Sequence, residues 1–288
     1  MTQTLGTSRE LDLATATVRY YESGPTDGPV VVFVHGLIVN AQLWRKVVPP
    51  LAAAGLRCIA VDWPLGSHEI ATPNADLSVP GVAALIAEFL TALDLHDVTV
   101  VANDTGGAIT QVLITTSPER VGRVVLTNCD CFERFLPPLF APLTWIARVP
   151  GGIWLLGQLM RPSFAWRLPI AYGWLAKRAI DKSTMRTYVG PVQKKHAIRR
   201  DAGRALRAVN RKYTIAAAEA LPSFTKPVLL VWATEDRVFP LAYAERLAET
   251  LPNASVVPVA DSFAFVPEDQ PDQLVAAVLR FVGQPAAA

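Results

Sequence analysis

Cysteine, charge and long apolar runs are all in short supply in this 288-residue sequence. Its three cysteines, Cys58, Cys129 and Cys131, are odd in number and lack zinc-site spacing. A reduced protein without a disulfide framework or metal site is expected. The richest apolar stretch, 135–160, is interrupted by Arg148, four prolines and a Gly-Gly pair. A spanning helix needs roughly 18–20 uninterrupted apolar residues, so no transmembrane segment is expected. The opening MTQTLGTSRELDL lacks the basic-then-apolar order of a secretory leader, which points to a cytoplasmic location. Histidine is scarce too: four occur, at 35, 68, 96 and 196.

What is present is a globular composition, 51% hydrophobic and 18% charged. The formal net charge of +2 conceals an uneven distribution. Residues 131–222 carry 16 Lys and Arg against 4 Asp and Glu, whereas the remainder carries 11 against 21. Four of the seven tryptophans, Trp145, Trp154, Trp166 and Trp174, also fall in that middle segment. The shift marks a separate structural unit.

Outside it, strand and helix signals alternate. Short β-branched apolar runs at 30–36, 56–62, 97–104, 121–128, 227–233 and 254–260 read as buried strands. Helical patterns fill 41–54, 78–94, 106–117, 241–251 and 269–282, with Ser78 as an N-cap. The alternation implies an α/β fold: a mostly parallel sheet with helices on both faces. Residues 131–222 show no convincing strand and read as an inserted helical lid. The core then comprises about 1–130 and 223–288.

Ligands of such sheets sit at the carboxyl ends of strands. Four ends carry unusual residues: His35-Gly36-Leu37, Asp62-Trp63-Pro64-Leu65-Gly66-Ser67-His68, Ala102-Asn103-Asp104-Thr105-Gly106-Gly107 and Trp232-Ala233-Thr234-Glu235-Asp236. The third has the form of a nucleophile elbow. Small residues at 102, 106 and 107 let the backbone turn sharply and push the Asp104 side chain into the open. The alternative for Asp104 is a simple helix cap. In the elbow reading, the N–H groups of Leu37 and Thr105 form an oxyanion hole.

Together, the HG turn, the Asp62-to-Gly66 loop, the elbow, the lid, Asp236 and the FVPEDQP tail (265–271) resemble the α/β-hydrolase superfamily. The branch is the one with an aspartate nucleophile, comprising haloalkane dehalogenases and epoxide hydrolases. The resemblance implies an α/β-hydrolase fold with an inserted cap, Asp104 as nucleophile, Asp236 as triad acid and no cofactor. It also implies a histidine that activates water against an aspartyl ester. That histidine is missing: DSFAFVPEDQP (261–271) places Ala264 at its position and Phe263 where a glycine is expected. Two neighbouring departures argue for a natural loss over a single engineered change. Thr105 and Leu37 also replace the tryptophan and asparagine usual in dehalogenases, and Leu37-Ile38 lacks the proline common in epoxide hydrolases.

Among the histidines, His35 has a structural role in the HG turn, and His96 and His196 read as solvated. His68 is the candidate for a relocated base or substrate contact. Tyr172, Tyr188 and Tyr213 are the lid tyrosines that an epoxide hydrolase would require. The helical stretch at 193–212, with Lys194, Lys195, Arg199, Arg200, Arg204, Arg207 and Arg211, is either a solvated face or an attraction for anionic amphiphiles, and beside the apolar, Trp-rich lid segments it would also suit a loose contact with an anionic membrane surface. Nucleic acid is not an expected partner.

Two functional classes therefore stand. One is an enzyme acting on a small apolar or amphiphilic, possibly anionic, substrate. Its family default is hydrolysis of an epoxide or carbon–halogen bond, and its alternative is non-hydrolytic lyase, isomerase or cyclase chemistry with Asp104 as base. The other is a catalytically silent ligand-binding member of the fold.

Overall fold

A computed structural model describes residues 5–283. All six expected strands form, as β3 (Val30–Val34), β4 (Arg57–Val61), β5 (Val98–Asp104), β6 (Val121–Cys129), β7 (Val228–Ala233) and β8 (Ala254–Val259). An N-terminal hairpin, β1 (Thr7–Asp12) and β2 (Thr17–Ser23), adds two more. The order is β1-β2-β4-β3-β5-β6-β7-β8, antiparallel at β1–β2 and β2–β4 and parallel elsewhere. Every residue of β5 and β7 is buried, as expected of strands covered on both faces. The hairpin was not legible because TSRELD is almost wholly exposed and carries no apolar alternation.

The helices of the core are α1 (Val48–Ala53), α2 (Val79–Ala92) and α3 (Thr105–Thr116), with others nearer the C-terminus. Ser78 caps α2 through an Oγ that accepts the Gly81 N–H at 3.2 Å. The expected helix over 41–54 is instead a 3-10 turn at Ala41–Trp44 followed by α1. Pro49 and Pro50 supply no N–H to carry a continuous helix back through residue 45, although they suit a first turn.

Between β6 and β7 the chain is helical: α4 (Pro142–Ile146), α5 (Gly152–Leu159), α6 (Lys182–Lys194), α7 (His196–Ala208) and α8 (Lys212–Ala220). After β7 come α9 (Ala242–Thr250), α10 (Val266–Asp269) and α11 (Pro271–Val282). The expected helix at 269–282 breaks before Pro271, where Gln270 leaves the helical conformation at φ −136° and ψ 55°.

The FVPED stretch fastens the insertion to the core. Glu268, 2% exposed, pairs with Arg45 and Lys46, and Arg45 also reaches Asp181 at the start of α6 at 2.9 Å. The Asp269 carboxylate accepts the N–H groups of Lys177 and Arg178 at 2.8 Å each and of Phe263 at 3.0 Å. Two backbone donors of the insertion are thus satisfied by Asp269 of the core.

Candidate active site

Asp104 ends β5 with φ 55° and ψ −132°, a conformation non-glycine residues rarely adopt, and α3 begins at the next residue. The local sequence makes the turn feasible. A Cβ on Gly106 would overlap the Val34 and His35 carbonyls, and one on Gly107 would overlap Cys129. A Cβ on Gly36 would overlap the Asp104 carboxylate itself. Strand, turn and helix therefore close together only because three positions lack side chains.

Asp104 faces a cavity of about 100 Å³. Leu37 and Thr105 border it from the core, and Leu136, Phe140, Leu143, Ile153, Leu156 and Met160 from the insertion. Among its lining residues Asp104 is the one charged side chain, and none is a histidine. Burial raises the Asp104 pKa to about 7, against a smaller lowering by the Thr105 N–H that bonds the carboxylate. The group therefore changes protonation state near neutrality, where a catalytic carboxylate is useful.

Asp236 is buried outside the cavity lining. Asn128 Nδ2 donates to it at 2.7 Å and the Val238 N–H at 2.7 Å, yet burial still lifts its pKa to about 7. Leu37 and Thr105 do border the cavity beside Asp104. Tyr172 also lines it, donating its hydroxyl to the Ile38 carbonyl at 2.7 Å. Burial, reinforced by the Asp104 charge, pushes the Tyr172 phenol up. Tyr188 is fully buried behind it with an unbonded hydroxyl, and Tyr213 is half-buried against Lys212.

His68 is not brought to Asp104. It is buried against α7, with Nε2 3.4 Å from Asp201 and Nδ1 accepting the Gly66 N–H at 3.3 Å. Its loop turns toward the insertion because Asp201 also accepts the Thr72 N–H at 2.8 Å. His35 is structural: Nδ1 lies 2.8 Å from the Gly36 carbonyl, Nε2 accepts the Trp63 N–H, and burial lowers its pKa to about 4. His96 and His196 are exposed. Ala264 is fully buried, with its carbonyl accepting Asn103 Nδ2 at 2.8 Å.

The residue that sequence reasoning missed is Asp130, immediately after β6. It is fully buried, accepts the Thr105 hydroxyl at 3.1 Å through Oδ2, and leaves Oδ1 without a partner. Burial, and then the nearby Asp104 charge, push its pKa well above the usual carboxylate value. The signal was an acid at a strand's carboxyl end, hidden because the strand was ended at 128 and the insertion begun at 131.

A buried carboxylate on a strained strand-to-helix turn, under a helical insertion on a mostly parallel eight-stranded sheet, defines an α/β-hydrolase-fold protein. Residues 29–271 match the alpha/beta hydrolase fold family, and the chain belongs to that family. It is 28% identical to a cis-3-alkyl-4-alkyloxetan-2-one decarboxylase of Xanthomonas campestris pv. campestris, over 96% of both chains. It is also 26% identical to haloalkane dehalogenase 2 of Mycobacterium bovis, over 96% of this chain and 95% of the other. A crystal structure of a haloalkane dehalogenase from Bradyrhizobium elkani superposes with a TM-score of 0.77 at 21% identity, covering 96% of this chain and 97% of that one. Among the described residues, no helix is long and apolar enough to cross a membrane, and no group of three or more His, Cys, Asp or Glu could hold a metal.

Proposed function

We propose that this protein is an enzyme that uses Asp104 as a nucleophile in a non-hydrolytic, ring-opening elimination, with a dialkyl β-lactone as substrate class. The observation that carries the reading is the apolar cavity, whose one charged side chain is Asp104 and to which no histidine contributes. An aspartyl ester formed there has no positioned base to direct water at it. Chemistry that resolves the ester without water suits such a site.

A β-lactone provides that route. The Asp104 carboxylate attacks the ring carbon bearing the ring oxygen, the carbon–oxygen bond breaks, and the ring's acyl group leaves as a free carboxylate. That carboxylate then loses carbon dioxide. The electron pair of the broken carbon–carbon bond forms the alkene and expels Asp104 as a carboxylate. Lactone becomes alkene plus carbon dioxide, with no water consumed and no proton removed. The decarboxylase relative, matched over nearly its full length, supports the substrate class. The apolar walls contributed by the helical cap suit alkyl substituents and exclude competing water.

The test is incubation with a cis-3,4-dialkyl-2-oxetanone in ¹⁸O-water, in parallel with Asp104→Asn. Alkene and carbon dioxide from the parent, and neither from the variant, are expected. A β-hydroxy acid carrying solvent ¹⁸O would instead establish hydrolysis, and ligand binding retained by both proteins without any product would establish a binding role. Halide release from haloalkanes at multiple turnovers would favour the dehalogenase relatives.

A further inference from the structure

Exposed large apolar side chains are ordinary when scattered. Here they are concentrated. Trp145, Val149, Trp154, Leu155, Leu159, Phe164, Leu168 and Ile170 are all exposed, and among the other described residues only Ile215 joins them. Trp145 is 72% and Phe164 71% exposed, values far from those of a packed aromatic. The arginines interleaved with them, Arg148, Arg161 and Arg167, are exposed as well. Between Glu133 and Asp181 the sequence holds no acidic residue at all.

Helix α5 shows how this surface relates to the site. Ile153, Leu156 and Gly157 line the Asp104 cavity, whereas Trp154, Leu155 and Leu159 face outward. The helix is apolar on both sides, and a single helix thickness separates the outer surface from the catalytic cavity. Ile170 belongs to both, being exposed and also part of the cavity wall.

We infer that residues 145–170 form an interfacial docking surface for an anionic phospholipid bilayer. Tryptophan, with an apolar body and a polar N–H, is favoured at the boundary of headgroups and acyl chains. Arginine beside it pairs with anionic headgroups, and the missing acids remove the repulsion such a surface would otherwise meet. Charge complementarity thus selects an anionic membrane over a neutral one. Docked this way, the wall of the cavity faces the acyl region, and an apolar substrate enters from the lipid without crossing water.

The basic segment 193–212 is not one helix as expected but the end of α6, all of α7 and the start of α8, and it is a weaker candidate for the same role. Lys195 is bonded to Glu69, Arg199 to the Val192 and Gln193 carbonyls, Arg204 to the Thr72, Pro73 and Ala75 carbonyls, and Arg207 to the Ala147 carbonyl at 2.7 Å. With Arg200 beside Asp201 at 3.8 Å, five of the seven named cations are therefore engaged within the chain, and among the described residues Ile215 is the one exposed large apolar residue near the others.

The experiment is flotation of the full chain with vesicles of phosphatidylcholine alone and of equimolar phosphatidylcholine and phosphatidylglycerol. Three proteins are compared: the parent, W154S/L155S/L159S and R161E/R167E, each checked by thermal melting, with K194E/R200E as the control for the basic segment. Binding to the anionic vesicles is expected, with a blue-shifted tryptophan emission and a loss of about tenfold in each of the first two variants but not in the control. No flotation by the folded parent, or flotation lost only in K194E/R200E, overturns the inference. So does concentration-dependent self-association of the lipid-free parent that W154S/L155S/L159S abolishes, since a second copy would then cover the surface.

Discussion

Asn103 Nδ2 donates to the Ala264 carbonyl at 2.8 Å, which ties the residue before Asp104 to the position where a histidine was expected. The same amide reaches Thr127 Oγ1 at 2.8 Å and the Asn128 carbonyl at 3.2 Å. On the other side, the Phe265 N–H donates to the Leu175 carbonyl at 2.7 Å. The 263–265 segment is thus clamped from the core and from the insertion, and the Ala264 side chain has no exposed surface. Ala264→His should therefore overpack the site and cost about 1–3 kcal/mol, lowering the melting temperature by several degrees. A variant that melts with the parent would show room for an imidazole beside Asp104.

Turnover should follow the ionisation of Asp104. Attack requires the carboxylate, and burial holds its pKa at about 7. The rate at saturating substrate is expected to rise with pH through about 7 and to level off above it, since no base in the cavity has to be deprotonated or kept neutral. A rate independent of pH between 5 and 9 would remove Asp104 from the nucleophile's role.

The same displaced pKa affects stability, with the opposite sign from that of an ordinary salt-bridged carboxylate. Asp104 and Asp236 both titrate near 7 in the folded chain and near 4 when unfolded. Between those values the folded state holds protons the unfolded state has released, so stability falls as pH rises through the window. Asp104→Asn removes one of the two groups. It should melt above the parent at pH 8, by on the order of 2 kcal/mol, and converge with it near pH 4. Equal melting at both pH values would mean that the carboxylate is not desolvated.

Asp130 should behave as a neutral acid. Burial raises its pKa and so favours the uncharged acid, in which case Asp130→Asn replaces one uncharged group by another of similar shape. The midpoint of the pH–rate profile is expected to move by less than about half a unit. A fall of a unit or more would mean that an ionised Asp130 had been raising the Asp104 pKa in the parent.

The core of the fold was legible because buried parallel strands are written as continuous β-branched runs. VVVFV, RCIAV and VLLVWA each become strands near the expected limits. The hairpin at Thr7–Ser23 was not, since nothing buried imposes a pattern on its exposed strand β1. Within the site, Asp104 could be read because its turn demands small residues in sequence order. Asp130 and the turning of His68 toward Asp201 could not, because both depend on which elements meet in space. The FVPED stretch shows the same limit: its place in the chain was plain, but the clasp made by Glu268 and Asp269 on Arg45 and the 177–178 backbone was not.

Gly36 gives the sharpest test of the elbow geometry. It belongs to the HG turn after β3, and a Cβ there would fall onto Oδ2, Cβ and Cγ of Asp104. The carboxylate has little room to give way, since its own backbone is held at φ 55° and α3 starts at the next residue. His35 cannot shift the turn either, because its ring bonds both the Gly36 carbonyl and the Trp63 N–H. Gly36→Ala should consequently rotate Asp104 out of its present position, at about 1–3 kcal/mol of stability and at least about a hundredfold loss in kcat with the fold retained. Circular dichroism and thermal melting would confirm the fold, and product formation at saturating substrate would report the chemistry. Full activity in this variant would mean that the reacting carboxylate does not occupy the space above Gly36, and the nucleophile would have to be sought elsewhere in the cavity.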